Sequence, residues 1–115
     1  MRAWSHALNT GDNERAAALF ARNAHVFQGG RALLLRSRAD AVAFNAALPC
    51  SGKILSVTTK GDTATATFLL GDRPESACDG PGQHARAQFE VRKGKIVVWR
   101  QLPTGGGPLP KGRSV

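Results

Sequence analysis

Ala7-Leu8-Asn9-Thr10-Gly11-Asp12-Asn13-Glu14-Arg15-Ala16-Ala17-Ala18-Leu19-Phe20-Ala21 is the stretch on which the fold turns. It reads as one helix ending, a Gly-Asp break, and a second short helix starting at once. Upstream, Arg2 to Asn9 is helical, with Trp4, Ala7 and Leu8 on one face at i, i+3, i+4. Gly11 stops that helix. Asp12 is suited to cap the next one, because its carboxylate accepts the orphan N–H groups of a first turn. Glu14 then sits at the positive end of the helix dipole. The spacing predicts that this second helix runs to about Arg22, with Ala16, Leu19 and Phe20 inward.

Downstream, His25 to Gln28 reads as a short strand, Gly29-Gly30 as a turn and Ala32 to Leu35 as a second apolar strand. Ser37 caps a third helix from Arg38 to about Leu48, whose buried set is Ala41, Val42 and Phe44; Pro49 ends it. A strand from Lys53 to Lys60 follows, then a tight turn at Gly61-Asp62. Thr63 to Leu70 alternates Thr with apolar residues, the period of a half-buried strand. The stretch Gly71 to Gln83 is loop by composition. His84 to Arg92 and Lys95 to Leu102 form a last hairpin turning at Lys93-Gly94. From Pro103 the chain is rich in Gly and Pro and is expected to be a flexible basic tail over 103–115.

This order of elements resembles the SnoaL-like branch of the NTF2-like superfamily over about residues 3–102. The most specific pieces are Ala-Leu-Asn-Thr-Gly-Asp at 7–12 and Gly-Lys-Ile-Val-Val-Trp-Arg-Gln at 94–101. The resemblance implies an α+β, cystatin-like cone over residues 1–102. Three helices from the N-terminal half would pack on a curved, mostly antiparallel sheet around a conical pocket. Leu19, Phe20, Val42 and Phe44 are expected to cover Phe68 and Phe89. Such proteins include ketosteroid isomerases, limonene epoxide hydrolases, polyketide cyclases, dehydratases and many binding or assembly domains, so fold does not settle function. The opening helix is a turn or two shorter than the resemblance implies, which leaves open a truncated start or a piece of a longer parent.

With 16 Lys+Arg against 8 Asp+Glu, the chain carries a net charge of +8, which favours anionic partners. The basic residues are scattered, however, and aromatic residues are not interleaved with them as in a stacking platform. Nucleic-acid binding is therefore not favoured. No stretch is long and apolar enough to span a membrane, and Met1 to Ala7 is not a signal peptide.

Chemistry-bearing residues are few. There is no Tyr. Asp12, Asp40, Asp62, Asp72 and Asp79 fall in loops, turns or a helix start. Glu90 is the one carboxylate inside a predicted strand; Phe89 and Val91 read as the inward pair beside it, which puts Glu90 outside, facing solvent or paired with Arg86 or Arg100. His25 could point inward and shuttle a proton, although a lone His in a strand is more often structural. These two are the weak catalytic candidates. The three His and two Cys lack metal-ligand spacing, so no metal is expected. Gly105-Gly106-Gly107 precedes no helix and is no phosphate loop, so no cofactor is expected either. Trp4, Phe20, Phe27, Phe44, Phe68, Phe89 and Trp99 supply most of the large apolar surface, and they are the candidate pocket lining.

Cys50 precedes one strand of the central hairpin and Cys78 follows the other, so both reach the same end of the sheet. A disulfide is favoured there over a pair of reduced thiols. Such a bond would place the protein outside the reducing cytosol. The leading functional expectation is binding of a small apolar or amphipathic ligand in the conical pocket, without catalysis. The alternatives are an isomerase-, cyclase- or epoxide-hydrolase-like enzyme using a pocket His or Glu, and a binder of anionic partners. The resemblance also implies a homodimer through the convex sheet face, with Leu55, Val57, Val97 and Trp99 as candidates for that face.

Overall fold

The computed structural model describes residues 1–103; residues 104–115, on which most of the expected tail falls, lie outside the described residues. The elements are α1 (Arg2–Asn9), α2 (Asn13–Ala18), β1 (Phe20–Gln28), β2 (Arg31–Leu35), α3 (Arg38–Ala47), β3 (Ser51–Lys60), β4 (Thr63–Gly71), β5 (His84–Arg92) and β6 (Lys95–Leu102). The strands form one six-stranded sheet in the order β2-β1-β6-β5-β4-β3. Every neighbouring pair is antiparallel except β1 with β6. Register shifts in β1, β3 and at the β5–β6 pair mark bulges, which bend a sheet. The three helices pack on the resulting concave face, giving the expected α+β cone. None of the described helices is long and apolar enough to cross a membrane.

Local signals do what the sequence asks of them. The Asp12 carboxylate accepts from the Arg15 N–H at 3.0 Å, and the Ser37 hydroxyl accepts from the Asp40 N–H at 3.2 Å. Lys93 and Gly94 both take positive φ, 52° and 76°, as a two-residue hairpin turn of this twist requires. One local expectation fails. The second helix ends at Ala18 rather than near Arg22, and Phe20 opens β1. The reason is non-local: Phe20 pairs with Ile96 of β6, and the Ile96 N–H donates to the Leu19 carbonyl at 2.9 Å.

The concave face is set by register. Val26, Trp99, Phe89 and Ala64 lie across four strands in one row. On this face Trp4 of α1 packs edge-on to Phe89 and Phe68, at centroid distances of 5.3 and 6.1 Å. Phe44 of α3 packs on Trp99 at 5.2 Å and on Phe20 at 6.0 Å. The cover over Phe68 and Phe89 thus comes from α1, not from the α2 and α3 residues named above.

Two ties fix α1 and α3. Ser5 Oγ and Asn9 Nδ2 donate to the Gly52 carbonyl, and the Gly52 N–H donates to Asn9 Oδ1 at 2.8 Å. Gly52 is a site of close approach, because a Cβ there would lie 2.9 Å from Phe68 Cδ1. Arg73, from the loop after β4, is buried beneath α3. Its guanidinium donates to the carbonyls of Asn45 (2.7 Å) and Leu48 (2.8 Å) and to Asn13 Oδ1. It thereby satisfies carbonyls that the end of α3 leaves without partners.

Candidate functional site: an apolar cavity under the first helix

Between α1, the segment from Leu48 to Gly52 and the concave side of β4, β5 and β6 lies a cavity of about 260 Å³. Its apolar wall is Trp4, Leu8, Leu48, Phe68, Leu70 and Trp99, with Ala85 and Ala87 flooring it. The floor follows from register: Ala85 pairs with Phe68, and Ala87 lies between Ala66 and Gln101. Small residues in that position leave the room. The polar lining is Gln28, Ser51 and Gln101, with Asp79 and Arg86 the only ionisable residues.

Cys50 also lines the cavity, and it is bonded to Cys78 across a sequence separation of 28. The expected disulfide is therefore present. It closes the rim by tying the start of β3 to the loop after β4. Asp79 Oδ1 lies 3.3 Å from Cys50 Sγ; the bonded sulfur carries no proton, so this is a packing contact. Cys50, Cys78 and Asp79 are the one His, Cys, Asp and Glu group that comes together among the described residues. With the sulfurs joined to each other, that group offers no thiolate to a metal.

The candidate residues divide by face. Trp4, Phe68 and Trp99 line the cavity. Phe89 is fully buried behind it, Phe20 and Phe44 pack together beside it, and none of these three is in its wall. Phe27 is on the opposite, convex face: it stacks with His25, and the Arg100 guanidinium lies 4.7 Å above its ring. His25 shares that face and is exposed. Glu90 is there too, in register with Val98, but its partner is Arg92 at 2.8 Å rather than Arg86 or Arg100. Neither catalytic candidate reaches the cavity.

The convex face also differs from expectation. Trp99 belongs to the concave row, and Val57, opposite Ala66, packs against the core. Register shifts at Val97 in β6 and at Leu55 in β3 explain this, since one extra residue in a strand reverses which side the alternation reaches. The row that faces outward is Phe27, Arg100, Gln88, Thr65 and Thr58.

Sequence reasoning missed three polar residues. Asn45 is completely buried: its Oδ1 accepts from Trp4 Nε1 at 2.8 Å and its Nδ2 donates to the Ala41 carbonyl. Arg73 is the second. Burial pushes its pKa below the usual arginine value, and the charge of Glu75 partly restores it. Asp79 on the cavity rim is the third. None carries a local signal, because what places each of them, Trp4 over Asn45, α3 over Arg73 and Cys50 beside Asp79, is distant in sequence.

The family pattern described as a SnoaL-like domain matches residues 1–99. The chain belongs to the SnoaL-like family. A comparison with curated protein sequences returned no match. Among solved structures, this SnoaL-like chain is similar to an NTF2-like protein of unknown function from Cytophaga hutchinsonii, with a TM-score of 0.71 at 13% identity, over 88% of this chain and 83% of that one. It is also similar to a proposed polyketide cyclase from Sinorhizobium meliloti (TM-score 0.66, 20% identity, 87% and 90% covered). A third similar structure is a proposed ketosteroid isomerase from Kribbella flavida (TM-score 0.69, 22% identity, 95% and 78% covered). At these identities the likeness is one of fold.

Proposed function

We propose that this SnoaL-like domain binds a small apolar or amphipathic molecule in the cavity under α1, and that it does so without catalysing a reaction. The observation that carries the reading is the wall itself: two indoles, Phe68 and aliphatic side chains around about 260 Å³, with ionisable groups only at Asp79 and Arg86. Apolar pockets with a few placed polar groups are the usual form of small-molecule sites. The enzyme alternative draws no support from His25 or Glu90, which lie on the other face. The two similar structures proposed to be a cyclase and an isomerase keep an enzyme as the competing reading.

The protein has two tryptophans, Trp4 and Trp99, and both line the cavity. A cavity-sized hydrocarbon such as tetralin should therefore change the tryptophan emission saturably. The variant Ala85→Leu, which narrows the floor, should weaken that response. Emission that never saturates, or an unaltered response in Ala85→Leu, would remove the reading.

A homodimer through the convex face is supported by one further observation. Leu34, His25, Val98 and Phe27 bring apolar and aromatic surface to the side of the sheet opposite the helices. Light scattering across a range of concentrations tests it: dimer mass is expected, and Phe27→Lys should return the mass to that of a monomer. A monomer throughout would rule the dimer out.

A further inference from the structure

The edge strand β2 leaves apolar surface open on the side of the sheet that the helices cover. Register puts Arg31, Leu33 and Leu35 on that side, opposite Gln28, Val26 and Ala24 of β1, of which Val26 and Ala24 are buried. Leu35 is buried as well, yet Leu33, two residues before it, is 47% exposed. The cause lies in α3. Ala43 and Ala47, one turn apart and both exposed, face this side with side chains too short to close the gap. What remains is a groove of about 650 Å³ between β2 and α3, walled by Val26, Leu33, Leu35, Phe44 and Leu48. Contiguous exposed apolar surface of this kind is characteristic of ligand grooves and interfaces.

Charge distinguishes the two ends of the groove. At the Leu35 end, Arg36 has an acid beside it: its backbone N–H donates to Asp40 Oδ2 at 3.0 Å, and Asp40 also lines the groove. At the other end Arg31 lines the groove, lies on the same side of β2 as Leu33, and is exposed. It takes part in neither ion pair among the described residues, and its partner in register, Gln28, is neutral. A fitting ligand therefore has an apolar body and a single anionic head at the Arg31 end. The head stays in water beside the guanidinium, so its charge is not desolvated, while the body leaves water. A carboxylate matches the guanidinium fork. From Arg31 to Leu35 the strand covers about 13 Å at about 3.3 Å per residue, the reach of a chain of about ten carbons.

We propose that the groove between β2 and α3 is a second binding site, taking a medium-chain carboxylate with its chain along Leu33 and Leu35 and its head on Arg31. The site borders the cavity under α1 at Gln28 and Leu48 but does not depend on it. Both tryptophans line that cavity and neither lines the groove, so the two sites are read by separate signals.

The test uses decanoate and decylammonium, which share a chain length and differ in the sign of the head. Each is titrated into the full chain while the methyl resonances of Leu33 and Leu35 are followed by heteronuclear NMR and tryptophan emission is recorded in parallel. Decanoate should shift both leucines saturably and bind more tightly than decylammonium. The net charge of +8 alone favours an anion, so Arg31→Gln is compared with Lys60→Gln, which removes the same charge from β3 at the opposite edge of the sheet. Both residues are exposed, so neither change threatens the fold. Arg31→Gln should weaken decanoate about threefold, the order expected of one solvent-exposed charge pair, and Lys60→Gln far less. An equal loss in the two variants, tighter binding of decylammonium, or unmoved Leu33 and Leu35 overturns the proposal. Decanoate that displaces tetralin and changes tryptophan emission without moving Leu33 occupies the cavity under α1; that result overturns this site and supports the ligand-binding reading. The other occupant to test is a second copy of the chain. A dimer that Leu33→Ser returns to monomer mass in light scattering places the groove in an interface and overturns the proposal too.

Discussion

Asn45→Ala is the substitution whose cost the structure fixes best. Asn45 is completely buried in α3, and its Oδ1 is the acceptor for Trp4 Nε1 across 41 residues of sequence. Truncation leaves the Trp4 N–H buried and unmet, which costs about 1–3 kcal/mol. It also removes a carboxamide from a closed site and leaves a void, worth about a further 1 kcal/mol. The lost bond from Nδ2 to the Ala41 carbonyl adds little, because that carbonyl still accepts within the helix. The sum is about 2–4 kcal/mol, and at about 4–8 °C per kcal/mol it lowers Tm by about 8–32 °C. Urea unfolding followed by tryptophan emission should show a lower midpoint at unchanged slope. The decisive comparison is a double-mutant cycle with Trp4→Phe, which should give a coupling of about 1–2 kcal/mol. Costs that add to within about 0.5 kcal/mol would show that the two side chains do not depend on each other, and the reasoning would be refuted.

Other outcomes follow from the same contacts. Arg73→Lys keeps the charge but replaces two separate donor nitrogens of a planar fork with one ammonium on a shorter side chain, which cannot reach all three acceptors, so it should cost about 2–3 kcal/mol, read from the urea midpoint. Thiol titration of the denatured, unreduced protein should find no free thiol; two would remove the disulfide from the structure. Reduction should lower stability by roughly 3–4 kcal/mol, the chain-entropy value for a loop closed across 28 residues. Gly52→Ala drives a Cβ to 2.9 Å from Phe68 Cδ1, and calorimetry should record a loss of about 1–3 kcal/mol from overpacking.

Elements with local signals were legible in the sequence: the Asp12 and Ser37 caps, the Lys93-Gly94 turn, and the alternation of Thr63 to Leu70 all describe what the chain does. Legibility failed where a partner lies far away. Leu19 to Arg22 has the composition of a helix end, and β1 forms there instead because β6 is waiting to pair with Phe20. Asn45 looks like the polar side of a helix until Trp4 arrives to cover it. Trp99 could be placed in the core or on the convex face by simple alternation, and the register shift at Val97 decides for the core. For the site, Trp4, Phe68 and Trp99 were within reach of sequence reading. The sidedness of Phe27, the neutral pair Gln28 and Gln101, and the rim residue Asp79 were not, because pockets are made by strand order rather than by strand sequence.

The place of β6 in the sheet carries a consequence for how the protein is made. It is the last strand of the described chain, yet it sits in the middle, joining the β1–β2 hairpin to the β3–β4–β5 meander. During synthesis those two pieces must wait beside each other with an open seam between them, each showing an unpaired strand to solvent. Trp99, which touches Trp4, Phe44 and Phe89, emerges from the ribosome only after the other five strands have done so. Closure is then a single late event that couples residues near both ends of the domain, a contact pattern that slows folding. Until that strand drops in, the nascent chain has sticky edges and no pocket at all.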